Sequence, residues 1–558
     1  MPNFPDQKTD QFDSFKHQEA EQLAQILADR YGIPYIDLHT VLVDQNALRL
    51  LSEEEARKSQ LVIFGMEKHL LRLAILTPNN PNLTAVIENL KQQGYTVELH
   101  IASQYGIEHA FLTYQELSHS KAEVRGVISI SDATMEKYIG LIKSIPDIKK
   151  LVEEAAATND THAISLVVEI ILGGAVSTNV SDIHLEPEHD VVHLRYRLDG
   201  VLQDVANLTN QDYKKVLARI KLLAGVKLNV VHEAQDGRFT IKIQGLDVEV
   251  RTSILPAAYQ ESVVMRILNP KSISVPMEEL GMDPALLKIM TEQIGRPNGL
   301  ILTTGPTGSG KTTTLYAVLK KLRNPQIKVI TIEDPIEYHL EGISQTQVNH
   351  EEGYDFSNGL RAAVRQDPDI IMVGEIRDEE TAAIAIDSAL TGHLVFSSLH
   401  TNNAAGAIPR LIDLGVNPKI ISSAVNIVLA QRLVRRLCSH CKKAYVPEGR
   451  ELEFLQREIP IIREFRDITI PPQIWRAVGC EQCTFTGYRG RISIYEGILM
   501  GNAVEEVIRG NPSEHEIKEA ARPQGILDMR QDGIVKVIAG VTSLDELDRV
   551  VGFEEGRS

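Results

Sequence analysis

One stretch limits what this chain can fold into more than any other: Gly299-Leu-Ile-Leu-Thr-Thr304, followed by Gly305-Pro306-Thr307-Gly308-Ser309-Gly310-Lys311-Thr312-Thr313. Leu300 to Thr304 read as a short buried strand, the glycine-rich run is too permissive for regular structure, and Leu315, Val318, Leu319 and Leu322 recur at helical spacing. A strand, a Gly-x4-Gly-Lys-Thr loop and a helix in that order make a phosphate cradle. The glycines let successive backbone N–H groups turn inward at a helix start, where the macrodipole also favours negative charge. Gly305 to Thr313 are therefore expected to bind a nucleotide, with Lys311 on the β/γ-phosphates and the Thr312 hydroxyl on Mg²⁺.

Residues 275–558 alternate strands with helices, as a parallel α/β sheet requires. Val329-Ile-Thr-Ile-Glu333-Asp334-Pro335 is an apolar run ending in two carboxylates, and Asp369-Ile-Ile-Met-Val-Gly374-Glu375 ends in a third. The strand Leu394 to Leu399 lies between His393 and His400. The carboxyl ends of such strands face the ligand crevice, so Glu333, Asp334, Glu375 and His400 are expected beside the phosphates, with His393 at the other end of its strand. Hydrolysis needs a positioned water. Glu375 is the first candidate to orient or deprotonate it, and Glu333 is the second, or an outer ligand to Mg²⁺. His393 and His400 are candidates to contact or sense the γ-phosphate.

Four regions precede this sheet. Residues 1–16 are polar and expected to fray. Residues 17–115 read as a small α/β unit for docking: an amphipathic helix burying Leu23, Ile26 and Leu27, strands near Leu61–Phe64, Leu70–Leu76 and Val97–Ile101, and a helix near Leu83–Gln93. Residues 116–160 are charged and weakly patterned, a linker with room for a helix. Residues 161–272 form a second α/β domain with a hairpin turning at Asp199-Gly200 and another at Gln244-Gly245. There Val192, Leu194, Tyr196 and Leu198 alternate with His193, Arg195 and Arg197. By pattern alone these arginines, with Arg238 and Arg251, belong to a solvated strand face.

The four cysteines form two pairs, Cys438-Ser-His-Cys441 and Cys480-Glu-Gln-Cys483, separated by 38 residues. Two C-x₂-C knuckles supply four thiolates for a closed, structural Zn²⁺ site stapling residues 435–491. The net charge of −17 argues against a basic nucleic-acid surface, and no apolar run approaches a membrane span, so a cytoplasmic location is expected.

Four segments together resemble a known family. Gly305–Thr313, Thr331-Ile-Glu-Asp-Pro-Ile-Glu-Tyr338, Leu360–Asp378 and Thr391-Gly-His-Leu-Val-Phe-Ser-Ser-Leu-His-Thr401 look like the Walker A, Asp box, Walker B and His box of secretion ATPases, in the family's order. The resemblance covers about residues 18 to 558. It implies a RecA-like P-loop domain preceded by two smaller α/β domains and carrying a zinc-stapled subdomain. It makes Glu375 the Walker B glutamate and Glu333 the Asp-box acid, and turns Arg238 and Arg251 into groups that reach the nucleotide. It further implies ATP, Mg²⁺ and Zn²⁺ as cofactors and a homohexamer at the inner face of the plasma membrane. That ring would drive an inner-membrane platform protein and dock through its first domain on a membrane-associated partner, without contacting nucleic acid directly. Type IV pilus assembly is the leading expectation and type II secretion the alternative. A DNA-translocating motor and a non-hydrolysing regulator are the remote ones. Some first domains of this family bind cyclic di-GMP through an Arg-Leu-Gly segment; none occurs here, and that ligand is not expected.

Overall fold

The computed structural model describes residues 20–119, 127–129, 142–156 and 163–553, apart from positions 39, 40, 42, 49, 68, 93, 143, 244, 245 and 270–274. The polar stretch 1–16 and the turn at Gln244-Gly245 lie outside the described residues. The chain forms two units, Met1–Val124 and Arg125–Ser558.

The first unit holds β1 (Leu61–Glu67) antiparallel to β2 (Leu70–Ile75), with β3 (Thr96–Ile101) parallel to β2 beyond the helix α1 (Pro81–Gln92). Leu61, Ile63, Leu71 and Leu73 fill its core, as the apolar alternation predicts. The first helix, over 20–31, corrects the expectation for its buried face. Leu23 and Ile26 are 59% and 63% exposed, and Ala24 and Ala28 face the core while Leu27 lies at its margin. Small alanines let the helix approach closely. Glu21, on the same stripe, accepts hydrogen bonds from the Tyr35 hydroxyl at 2.5 Å and from Ser103 at 2.6 Å. These polar ties, which a periodicity argument does not count, set the rotation of the helix.

The second unit opens with a seven-stranded sheet of β4 (Val127–Ser129), β5 (Asp182–Pro187), β6 (Val192–Leu198), β7 (Val201–Leu208), β8 (Gln235–Ile243), β9 (Leu246–Pro256) and β10 (Glu261–Leu268), in the order β4-β8-β9-β10-β5-β6-β7. The β6–β7 turn places Asp199 at φ 50° and Gly200 at φ 86°, the paired left-handed conformation that suits Asp-Gly. Helices α2 (Ile145–Ala156), α3 (Ala163–Ser177) and α4 (Asn210–Ala224) share one core with Val192, Leu194, Tyr196, Val248 and Val250. Ile148 and Val152 of α2 are fully buried in that core, so this helix is part of the second domain and not of a linker.

The remaining residues build a second seven-stranded sheet: β11 (Gly299–Thr304), β12 (Val329–Glu333), β13 (Ser344–Gln347), β14 (Ile370–Val373), β15 (Leu394–Leu399), β16 (Val425–Leu437) and β19 (Tyr488–Leu499), ordered β13-β12-β14-β15-β11-β16-β19. Every pairing is parallel except β16 with the edge strand β19. Leu300 and Leu302 face one apolar layer and Ile301 the other, which is why strands buried on both sides read as unbroken apolar runs. Between β16 and β19 the chain makes an excursion that carries β17 (Lys443–Tyr445), α5 (Gly449–Arg463) and β18 (Ile474–Arg476).

Candidate nucleotide site and metal centre

The P-loop leaves the carboxyl end of β11 and enters the helix α6 (Lys311–Leu322). Gly305 has φ 145°, and a Cβ there would lie 2.5 Å from the Gln431 carbonyl oxygen and 2.7 Å from Ser309 Oγ, so only glycine fits. Gly308 and Gly310 are also left-handed, at φ 78° and 94°. From β16, Gln431 Nε2 donates to the Ser309 carbonyl at 2.8 Å and buttresses the loop from below. Gln431 carries no motif of its own; its one signal is an amide directly after the apolar run Ile427–Ala430. Lys311 Nζ donates to the Gly305 and Pro306 carbonyls at 2.7 and 3.2 Å. Burial pulls its ammonium below the ordinary lysine range and the Glu375 charge opposes that. Thr312 is exposed at the start of α6, with Thr313 half-buried behind it. A cradle that no Cβ could share, a lysine bonded to loop carbonyls and an exposed threonine at the helix start fit a Mg²⁺–triphosphate.

The strand ends bring together most of the expected acids. Glu375 follows β14, and its Oε2 lies 3.1 Å from His400 Nε2 at the end of β15. Arg377 pairs with Glu375 and lies 3.9 Å from Asp334, which also meets His350 at 3.5 Å. Glu375, His400, Arg377, Asp334 and His350 therefore form one linked group on the P-loop side of the sheet, and Arg377 and His350 are additions that the motifs alone did not mark.

Two candidate catalytic residues do not join this group. His393 precedes β15, where its ring Nδ1 meets the Ser388 carbonyl at 3.1 Å and its own carbonyl accepts from Gly299 N–H at 3.1 Å. Seven residue steps at ~3.3 Å each put it about 23 Å from His400, at the sheet end opposite the P-loop. A place among the catalytic groups is thus corrected to a structural one. Glu333 is 3% exposed, and its carboxylate accepts from Thr331 Oγ1 at 2.6 Å, Gln345 Nε2 at 3.0 Å and the Tyr316 hydroxyl. The period of two turns Glu333 toward α6, where Tyr316 sits, and leaves the adjacent Asp334 at the mouth. Glu333 holds α6 against β12 in place of facing the crevice.

The arginines sit in one row across the second domain's sheet, since Arg238 pairs with Arg251 and Arg251 with Arg266 across three neighbouring strands. Arg238 is exposed. Arg251 reaches the Asp-box segment, donating to Glu337 Oε2 at 3.0 Å and to the Ile336 carbonyl at 2.5 Å. It is held beside the mouth of the crevice and not over the P-loop.

At the neck of the β16–β19 excursion the four cysteine sulfurs lie within 4.8 Å of one another, with 3.9 Å between Cys438 and Cys480 and 3.7 Å between Cys441 and Cys483. Four thiolates about 2.3 Å from one ion would stand ~3.8 Å apart, and disulfide sulfurs would stand ~2 Å apart. Gly479 N–H donates to Cys441 Sγ at 3.3 Å, and Cys480 and Gly487 N–H donate to Cys483 Sγ at 3.2 Å. This donor set, all sulfur and backed by amides, fits zinc.

A parallel sheet with a phosphate cradle at one strand end and an acid, a histidine and an arginine converging beside it defines a P-loop ATPase. The family model for type II/IV secretion system proteins matches residues 157–549, and the MshEN domain model matches residues 31–121. The chain is 44% identical to type II secretion system protein E of Pseudomonas aeruginosa, over 74% of this chain and 80% of that one. It is 35% identical to the type IV pilus assembly ATPase PilB of Myxococcus xanthus, over 95% of this chain and 91% of that one. The X-ray structure of the ATPase DotB of Yersinia pseudotuberculosis shares the fold, with TM-score 0.50 and 19% identity over 70% of this chain and 94% of that chain. The chain belongs to the type II/IV secretion system protein family.

Proposed function

We propose that this protein is the Mg²⁺-dependent ATPase motor of type IV pilus assembly. The observation that carries the pilus reading is the match to a pilus assembly ATPase along 95% of the chain, first domain included. Driving a type II secretion pseudopilus is the second reading, favoured by the higher identity of 44% to a secretion protein E.

In this reading Lys311 exchanges the Gly305 and Pro306 carbonyls for β/γ-phosphate oxygens, and the Gly305–Thr313 amides hold the rest of the triphosphate. Thr312 is the residue that would hold Mg²⁺, whose chemistry is to neutralise phosphate charge. Glu375 receives the proton of the attacking water, and His400 and Arg377 orient its carboxylate. Arg251, when it leaves Glu337, and Arg238 close over the phosphates, so that loss of the γ-phosphate loosens the second domain from the P-loop domain. Cys438, Cys441, Cys480 and Cys483 would hold a structural Zn²⁺ that takes no part in hydrolysis.

Among the described residues no helix is long and apolar enough to cross a membrane. The motor works as a homohexamer in the cytoplasm, peripheral to the inner membrane, pushing on a platform protein and docked through its first domain, without direct nucleic-acid contact. The test is complementation of a strain lacking the gene. Wild type should restore both surface pili and phosphate release by the purified protein, and Lys311→Ala neither. Restored export of folded exoproteins without pili would select the second reading.

A further inference from the structure

Strand β19 leaves the zinc neck and runs along the sheet edge as Arg491-Ile-Ser-Ile-Tyr-Glu-Gly-Ile-Leu499. Tyr495 and Glu496 are consecutive, so their side chains leave opposite faces of the sheet. Tyr495 places its hydroxyl 3.1 Å from Thr314 Oγ1 on α6. Glu496 Oε1 accepts the Ala404 N–H at 2.5 Å.

Ala404 lies in the turn that follows His400, and it and Ala405 are fully buried. The near end of that turn is tied to the strand entering the P-loop, because Thr401 N–H donates to Thr304 Oγ1 at 2.9 Å. Its far end is tied by Glu496 and by Glu514, which accepts from Asn403 Nδ2 at 2.9 Å. Glu496 is largely covered by the chain, and a carboxylate taken out of water is costly to desolvate where an apolar residue would carry no such cost. Burial raises its proton affinity, the Ala404 amide and, more weakly, the Met529 amide oppose this, and Asp528 and Lys518 are the charged neighbours. What the carboxylate adds over an apolar residue is an acceptor for an amide that would otherwise be buried unpaired.

We infer that Glu496 is a positioning residue for hydrolysis: through Ala404 N–H it fixes the turn that aims His400 at Glu375. This rests on the reading of Glu375 and His400 as the hydrolytic pair.

The experiment compares wild type, Glu496→Ala, Glu496→Gln, Tyr495→Phe and Glu375→Gln by ATP turnover, and by hydrogen exchange of the peptide covering residues 400–406. Glu496→Gln keeps an oxygen for the Ala404 amide. Glu496→Ala should lower kcat about tenfold or more with KM for ATP within about twofold, and should lose protection at Ala404. Glu496→Gln should restore both to near wild type. Tyr495→Phe should leave exchange at 400–406 unchanged. Wild-type kcat in Glu496→Ala would overturn the inference, and so would a glutamine variant as impaired as the alanine one. Lost turnover in Glu496→Ala with no change in Ala404 exchange would overturn it too. Full turnover in Glu375→Gln would instead defeat the hydrolytic reading, while the exchange data still decide whether Glu496 holds the turn.

Discussion

His400 meets Glu375 across the ends of two neighbouring strands, Nε2 to Oε2 at 3.1 Å, although 25 residues separate them in the chain. His393, at the other end of the same strand, hydrogen-bonds the Ser388 carbonyl and the start of β11. The two histidines of one motif should therefore part company on substitution. Glu375→Gln should reduce phosphate release ~100-fold or more and His400→Ala ~10-fold or more, with His393→Ala within about twofold of wild type. A steady-state assay checks this, and equal losses at the two histidines would contradict the placement.

Gly305→Ala should abolish nucleotide binding while the sheet remains folded. Its Cβ would meet the Gln431 carbonyl at 2.5 Å, and φ 145° is closed to alanine, so the loop must move by a few tenths of an ångström or more. Gln431→Ala removes the bond to the Ser309 carbonyl and should weaken binding less, about tenfold. Titration with a fluorescent ATP analogue measures both, and unchanged affinity in Gly305→Ala would refute the cradle.

The Arg251–Glu337 contact should be pH-dependent. Burial first of all holds Glu337 above the usual carboxylate range, Arg251 and Arg266 oppose this, and Glu333 and Glu249 add to it. The folded state therefore takes up the proton more readily than the unfolded chain between the ordinary value of 4.5 and the raised one. Stability from this group is fully present below 4.5 and is lost as pH rises through the raised value. Relative to Glu337→Gln, wild type should lose melting temperature over that rise. A difference constant from pH 4.5 to 8 would remove Glu337 as its source.

Zinc removal should act locally. Purified protein should carry about one zinc per chain, and a chelator should make residues 442–479 sensitive to protease while residues 275–430 stay resistant. Cys480→Ser should do the same without chelator. Metal analysis with limited proteolysis reads this out, and a protected excursion in the metal-free protein would show that the cysteines do not staple it.

The cradle, the cysteine pairs and the strand-end acids were legible because each is contiguous and its chemistry needs particular residue types at short spacing. The roles of Glu333 and Asp334 were not. They are neighbours, and which of them faces the mouth depends on which face of β12 α6 covers, a fact of topology. The first helix misled in the same way, since Leu23 and Ile26 form a good apolar stripe while the tie of Glu21 to Tyr35 and Ser103 turns Ala24 and Ala28 inward.

By itself the sequence determined the phosphate-cradle loop and the four-cysteine cluster, because backbone freedom at glycines and ligand spacing in C-x₂-C pairs are local properties. Tertiary structure alone decided who the partners are: His400 with Glu375, Gln431 under Ser309, Arg251 on Glu337 and Glu496 on Ala404. Those contacts join residues 25 to 122 positions apart, and only the order and pairing of strands brings such distant side chains within bonding distance.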